Sequence, residues 1–268
     1  MGSADGSGRG LRRMTRLALL PSPLLGPASW APVAGELTRR GHRVSVPRLA
    51  PPVATPADVL AGYLAGTPDE PGLVLVPHSN AGPYVAALAV ERDASTVVFA
   101  DALLPSAEAT TSTAAGGFRD AIGRLADADG VLPPWTSWWP EADTAGLFPD
   151  TAARGAVERE QPRLPLAYFD EPIATPPGWR SLPAAYLAFG DTYAAERATA
   201  TARGWPVETL PGRHLHQLVD PVGVADAVLR LLAATRTGSA APGSGTKLGE
   251  PGGTADHCTS ERSRPGAD

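Results

Sequence analysis

The feature that most constrains this chain is an alternation. Short, largely apolar runs are separated by stretches whose apolar residues recur every three or four positions. RLALL (16–20), LVLV (73–76), STVVFADALL (95–104) and AAYLAFG (184–190) are the apolar runs. A strand that is apolar on both faces must be covered on both, and a parallel sheet flanked by helices does this. Between the runs, SWAPVAGELTRR (29–40) sets Trp30, Val33 and Leu37 at helical spacing, and Gly41 stops the helix. PADVLAGYLAG (56–66) reads as a helix opened by Pro56. NAGPYVAALAVER (80–92), the segment 193–203 and PVGVADAVLRLLAAT (221–235) read as three more, the last with Val224, Val228, Leu231 and Leu232 on one face. HRVSVPRL (42–49) and WPVETLPG (205–212) supply further strands. The expected class is α/β, with a mostly parallel sheet and helices on both faces.

The alternation breaks between 105 and 183. That stretch carries a helical segment, GFRDAIGRLADA, a Pro/Trp segment, VLPPWTSWWPEA, and a second helical stretch, PDTAARGAVERE. Because the α/β pattern resumes afterwards, residues 105–183 read as an insertion within one domain spanning 14–235. Residues 236–268 are rich in Gly, Ser, Pro and charge, residues 1–13 read as a loose extension, and both are expected to be disordered. Met14 opens MTRLALL and is the expected natural start.

The net charge of −5 comes without a Lys/Arg-rich run, so no nucleic-acid partner is expected. The single cysteine, Cys258, allows no internal disulfide. Arg12, Arg13 and Arg16 followed by an apolar stretch imitate a secretion signal, but Pro21, Pro23 and Pro27 interrupt it, and the segment is better read as a first strand and loop. No run of 18 apolar residues exists, so no membrane span is expected, and the cytoplasm is the expected location. No HExxH, Cys/His cluster or Gly-rich phosphate loop is present, so neither a metal nor a nucleotide cofactor is expected.

Three chemistry-bearing residues fall at strand ends, in the order Ser79, Asp191, His214. Ser79 follows LVLV in LVLVPHSNAGPYV, Asp191 follows AYLAFG, and His214 follows PVETLPG. A serine hydroxyl needs a base to take its proton, and a histidine does so near neutral pH. A carboxylate on the other ring nitrogen fixes the tautomer. Ligands bind at the carboxyl ends of parallel strands, where all three residues lie. This constellation resembles the α/β-hydrolase superfamily, whose nucleophile elbow reads G-x-S-x-G and whose triad runs serine, acid, histidine. The resemblance covers 16–104 and 184–235. It includes the seven-residue step from His214 to Pro221 and the opening LLPSPLLGPASWAPVAGEL, which is similar to the family's first strand, oxyanion loop and Trp-bearing helix. It implies an acyl-Ser79 intermediate, a substrate cap at the insertion, and a small-molecule acyl substrate, in some branches delivered by a carrier protein in natural-product assembly. Asp101, which ends the preceding strand, is the alternative acid, because some members take it from there. His216 is the alternative base, and His78 is expected to pack behind the nucleophile.

Two departures from that pattern matter. Pro77 and Ala81 stand where the elbow glycines belong. Pro23 stands where the oxyanion loop offers a backbone N–H, and proline has none. The expected donors are therefore Asn80 together with Leu24 or the Ser22 hydroxyl. If neither of the latter serves, the chain is a fold relative without hydrolytic activity: a lyase, a cyclase or a ligand-binding protein. Trp135, Trp138 and Trp139, with Tyr168, are candidate substrate contacts, and packing of the insertion is an equal alternative.

Overall fold

A computed structural model describes residues 14–114 and 117–238. Among the described residues eight strands form: β1 (Arg16–Leu20), β2 (Arg43–Ser45), β3 (Leu73–Ser79), β4 (Thr96–Ala102), β5 (Thr110–Thr111), β6 (Ile173–Ala174), β7 (Ala184–Phe189) and β8 (Val207–Leu210). Six make one sheet in the order β2-β1-β3-β4-β7-β8, parallel throughout. The chain starts at β1, moves outward to β2, and then crosses back to β3 on the other side of β1. This switch point opens a crevice at the carboxyl ends of β1 and β3, where ligands bind in open α/β sheets.

Side-chain alternation divides the core into two layers. Leu17, Leu19, Val74, Val76 and Val98 face one side, with α1 (Ala31–Arg39) over them. Ala18, Leu20, Leu73, Leu75 and Phe99 face the other, with α2 (Pro56–Gly66) and α3 (Val85–Glu91). Between β4 and β7 lie α4 (Phe118–Gly123), α5 (Glu141–Thr144) and α6 (Thr151–Glu158). They are joined by 3-10 turns and by the antiparallel pair β5–β6. Then come α7 (Ala194–Ala202), α8 (His216–Val219) and α9 (Pro221–Gly238). α9 covers the α1 face of the sheet.

The alternation is as expected, but several extents differ. The strand expected over 42–49 pairs only through Ser45, because Pro47 follows with no N–H to donate. The first helical segment of the insertion ends at Gly123, not near 128. α9 runs to Gly238, past the expected start of disorder at 236. The rest of the expected disorder, at 1–13 and from 239 on, and Cys258 lie outside the described residues.

The turn from β3 into α3 shows how the chain manages without the usual glycines. Pro77 sits in extended backbone opposite Leu20 of β1, where its fixed φ fits. Ser79 then adopts φ 57°, a left-handed value rare outside glycine. Ala81 is fully buried yet accommodated. The position that excludes a side chain is the next one: a Cβ on Gly82 would lie 1.7 Å from the Leu103 carbonyl oxygen, where the helix entry crosses the end of β4. Gly82→Ala is therefore expected to push α3 off β4 and to destabilise the fold by about 3 kcal/mol, read by urea unfolding. A variant as stable as the parent would show that this crossing is loose.

Candidate active site

The residues nearest the switch point form a hydrogen-bonded line. Ser79 Oγ lies 3.0 Å from His214 Nε2, and His214 Nδ1 lies 2.7 Å from Asp101 Oδ2. Asp101 is fully buried, and its Oδ1 accepts the Phe189 N–H at 3.0 Å. Asp101 and Ser79 are both held at positive φ, 43° and 57°. Such strain persists where surrounding structure over-determines it, and it concentrates at functional sites.

The acid is a correction. Asp191 does not meet His214. Gly190 takes φ 73° and turns the chain outward, so the Asp191 side chain is 84% exposed and pairs with Arg197 at 2.9 Å. The carboxylate on His214 belongs to Asp101, at the end of the neighbouring strand β4. The loop after β7 sends a different group inward: the Tyr193 hydroxyl, 3.3 Å from Ser79 Oγ. Nothing in the sequence pattern marked Tyr193, since a tyrosine opening a helix is ordinary. His216, the other candidate base, packs edge-on against Phe189. His78 stands behind the site as expected. It is stacked on His214 with centroids 4.6 Å apart, and its Nε2 lies 2.8 Å from the His214 carbonyl oxygen.

The loop after β1, the expected oxyanion loop, is pinned from several sides. Trp30 Nε1–H donates to the Leu20 carbonyl at 3.1 Å, and the Tyr63 hydroxyl donates to the Pro21 carbonyl at 2.5 Å. Glu160, from the insertion, accepts the Ala28 N–H at 2.5 Å. The Ser22 hydroxyl is buried and accepts the Leu24 N–H across a long 3.4 Å. Ser22 therefore turns along the loop and does not line the cavity above Ser79, and the expectation that its hydroxyl reaches substrate as an oxyanion donor is corrected. Asn80 follows Ser79 directly. Its side chain is clamped: Nδ2 donates to the Thr113 carbonyl at 2.6 Å, and Oδ1 accepts the Tyr168 hydroxyl at 3.2 Å. Tyr168 in turn accepts from Tyr84 at 2.6 Å.

A cavity of about 380 Å³ opens above Ser79. Leu24, Leu103, Phe118, Trp135, Trp139 and Leu147 wall it, and Ser79, Asn80, Tyr193 and His214 form its polar end. Of the four aromatic candidates, Trp135 and Trp139 line it. Trp138 and Tyr168 do not. The Trp138 ring is buried against Phe118 and Phe169, and its Nε1–H donates to the Pro133 carbonyl. Tyr168 is buried beneath Asn80. Both carry structure where substrate contact was expected.

His78 supplies a pH test. Its Nε2–H donates to the His214 carbonyl, so Nδ1 carries no proton, and Nδ1 is buried without a partner. Burial, with the neighbouring His214 adding to it, holds the imidazole well below its ordinary value of 6.5. Above pH 6.5 folded and unfolded chains both hold it neutral. Below that, the unfolded chain takes a proton that the folded one refuses. Stability is expected to fall by about 1.4 kcal/mol per pH unit from this group until it titrates in the fold. Denaturant unfolding from pH 7 to 5 should show that loss in the parent and a shallower slope in His78→Phe. Equal slopes would sink this assignment.

The comparisons with known proteins agree with this architecture. No protein-family model matches the chain, and no curated protein matches it significantly in sequence. Solved structures do. An extracellular α/β-hydrolase from a Paenibacillus species, described as sharing structural and functional homology with tobacco salicylic acid binding protein 2, is 18% identical with a TM-score of 0.64, over 81% of this chain and 98% of that one. Tomato methylketone synthase I, complexed with 2-tridecanone, is 15% identical with a TM-score of 0.65, over 83% and 99%. The pyrethroid hydrolase PytH is 19% identical with a TM-score of 0.61, over 83% and 99%. The chain has the α/β-hydrolase fold.

Proposed function

We propose that this chain is a serine-dependent acyl-transfer enzyme. It would cleave an ester or thioester with a hydrophobic or aromatic acyl part through an acyl-Ser79 intermediate. The observation that carries the reading is the unbroken line Ser79–His214–Asp101, with both bonds at 3.0 Å or less. In this reading His214 takes the Ser79 proton as Oγ attacks the acyl carbon, and then returns it to the leaving oxygen or sulfur. Asp101 keeps the Nδ1–H tautomer, so that the Nε2 lone pair faces Oγ. The Asn80 backbone N–H is one donor to the developing oxyanion. Trp135, Trp139 and Phe118 favour a flat, apolar acyl group. Thr113, whose buried hydroxyl has no partner and which lines the same cavity, offers that group one polar contact.

A second reading rests on Pro23. With one oxyanion donor missing, a fold relative without hydrolytic activity would need no acyl-enzyme at all. Incubation with a fluorophosphonate, followed by intact-mass measurement, separates the two. One adduct on the parent and none on Ser79→Ala supports acyl transfer; a folded parent that takes no adduct rejects it. Offering amines, alcohols and carrier-protein thiols beside water to the acylated enzyme then identifies the acceptor.

The acid assignment has its own test. Asp101→Asn is expected to lower the labelling rate by on the order of a thousandfold or more. Asp191→Asn, an exposed change away from the site, is expected to leave it within about twofold. The reverse pattern would restore Asp191 as the acid.

A further inference from the structure

We propose that Tyr193 is a catalytic residue whose hydroxyl donates a hydrogen bond to Ser79 Oγ and stabilises the partial negative charge that Oγ carries while its proton passes to His214 and, in deacylation, while Oγ leaves. This inference rests on the acyl-transfer reading above.

The direction of the bond follows from counting hydrogens. Asp101 Oδ1 accepts the Phe189 N–H, and Oδ2 lies 2.7 Å from His214 Nδ1, so Nδ1 carries the imidazole proton. Nε2 is then an acceptor, and the single Ser79 hydroxyl hydrogen is committed to it at 3.0 Å. Oγ can therefore only accept from Tyr193, 3.3 Å away. Burial pushes the Tyr193 phenol well above its ordinary value, with the nearby Asp101 charge adding to it, so the donor hydrogen is retained. The ring lies against His214, with centroids 5.5 Å apart, and the residue lines the catalytic cavity, so its hydroxyl meets the reacting atoms directly.

The two remaining groups near the oxyanion loop are less free to help. The Leu24 N–H is turned to Ser22 Oγ, and the Ser22 hydroxyl is buried along the loop. Tyr193 works from the other side, on the attacking oxygen. As the Oγ–C bond forms, the Oγ proton passes to His214 Nε2 and the carbonyl π pair moves onto the carbonyl oxygen. When that pair returns, the bond to the leaving group breaks, and the leaving group takes the proton from Nε2. Oγ has a second lone pair for Tyr193 throughout, and Tyr193 keeps its own hydrogen. In deacylation Oγ is the leaving oxygen, so the same bond assists both halves of the reaction.

Tyr193→Phe removes the hydroxyl and keeps the ring that packs on His214. Its rate constant for fluorophosphonate labelling, and its kcat with a p-nitrophenyl ester, are expected to fall by on the order of tenfold to a hundredfold, with KM within about twofold. A hydroxyl that only packs would leave both rates unchanged, and that result overturns the inference. If the Phe variant melts well below the parent, the chain carrying 3-fluorotyrosine at position 193 decides. Its more acidic phenol should label faster than the parent below neutral pH, and an identical pH profile overturns the proposal. A parent that takes no label rejects the acyl-transfer reading itself. Normal labelling of the parent with normal labelling of Tyr193→Phe rejects only the role of Tyr193.

Discussion

The carboxylate of Asp101 is the group on which the rest of the site depends. A fully buried carboxylate is costly unless its oxygens are paired. Here one oxygen takes the Phe189 N–H and the other takes His214. Those two bonds join β4, the end of β7 and the loop after β8. They fix the imidazole, and the imidazole fixes where the Ser79 hydroxyl hydrogen points. His78 completes the arrangement from below, holding the His214 carbonyl while its own buried ring stays neutral. The left-handed backbone at Asp101 and Ser79 is a cost on the order of 1–3 kcal/mol each, tolerated because neighbouring strands leave the chain no other path.

Much of this was legible in the sequence, for identifiable reasons. The sheet announced itself because buried parallel strands cannot alternate, and RLALL, LVLV and STVVFADALL do not. Ser79 stood out because it follows such a strand, and His214 because it follows a later strand and lies seven residues before Pro221, the start of α9. The acid did not, because two strands in succession end in aspartate and spacing ranks both. What separates them is the Gly190 turn, which carries Asp191 into solvent, against the φ of Asp101, which folds its side chain under His214. Backbone angles of that kind leave no mark on composition or periodicity. The same holds for Tyr193, whose importance comes from the direction the chain takes after Gly190.

The aromatic residues of the insertion show a similar limit. Sequence places Trp135, Trp138 and Trp139 within five positions, and a 3-10 turn at Trp135–Trp138 distributes them. Trp135 and Trp139 border the cavity, whereas Trp138 goes into the packing beneath. An α-helix would have spread the three differently around its axis. Without knowing which turn forms, the division between substrate wall and support is unreadable.

The insertion also does more than cover the site. Tyr168, buried between Tyr84 and Asn80, ties the insertion to the residue that follows Ser79. Thr113 holds the other end of the same amide. Glu160 meets the oxyanion loop at Ala28, and a Cβ on Gly26 would lie 2.8 Å from its own Cβ, so the loop and the insertion are in close contact. A lid that swung clear would have to break all of these bonds, freeing the Asn80 side chain and leaving the loop held only by Trp30 and Tyr63. The insertion therefore helps to fix the Asn80 side chain and the loop after β1, the groups to which the proposed reaction assigns its oxyanion donors. For the proposed reaction, entry is therefore assigned to the cavity's rim, where Trp139 is 41% exposed, and not to a hinge under the whole insertion.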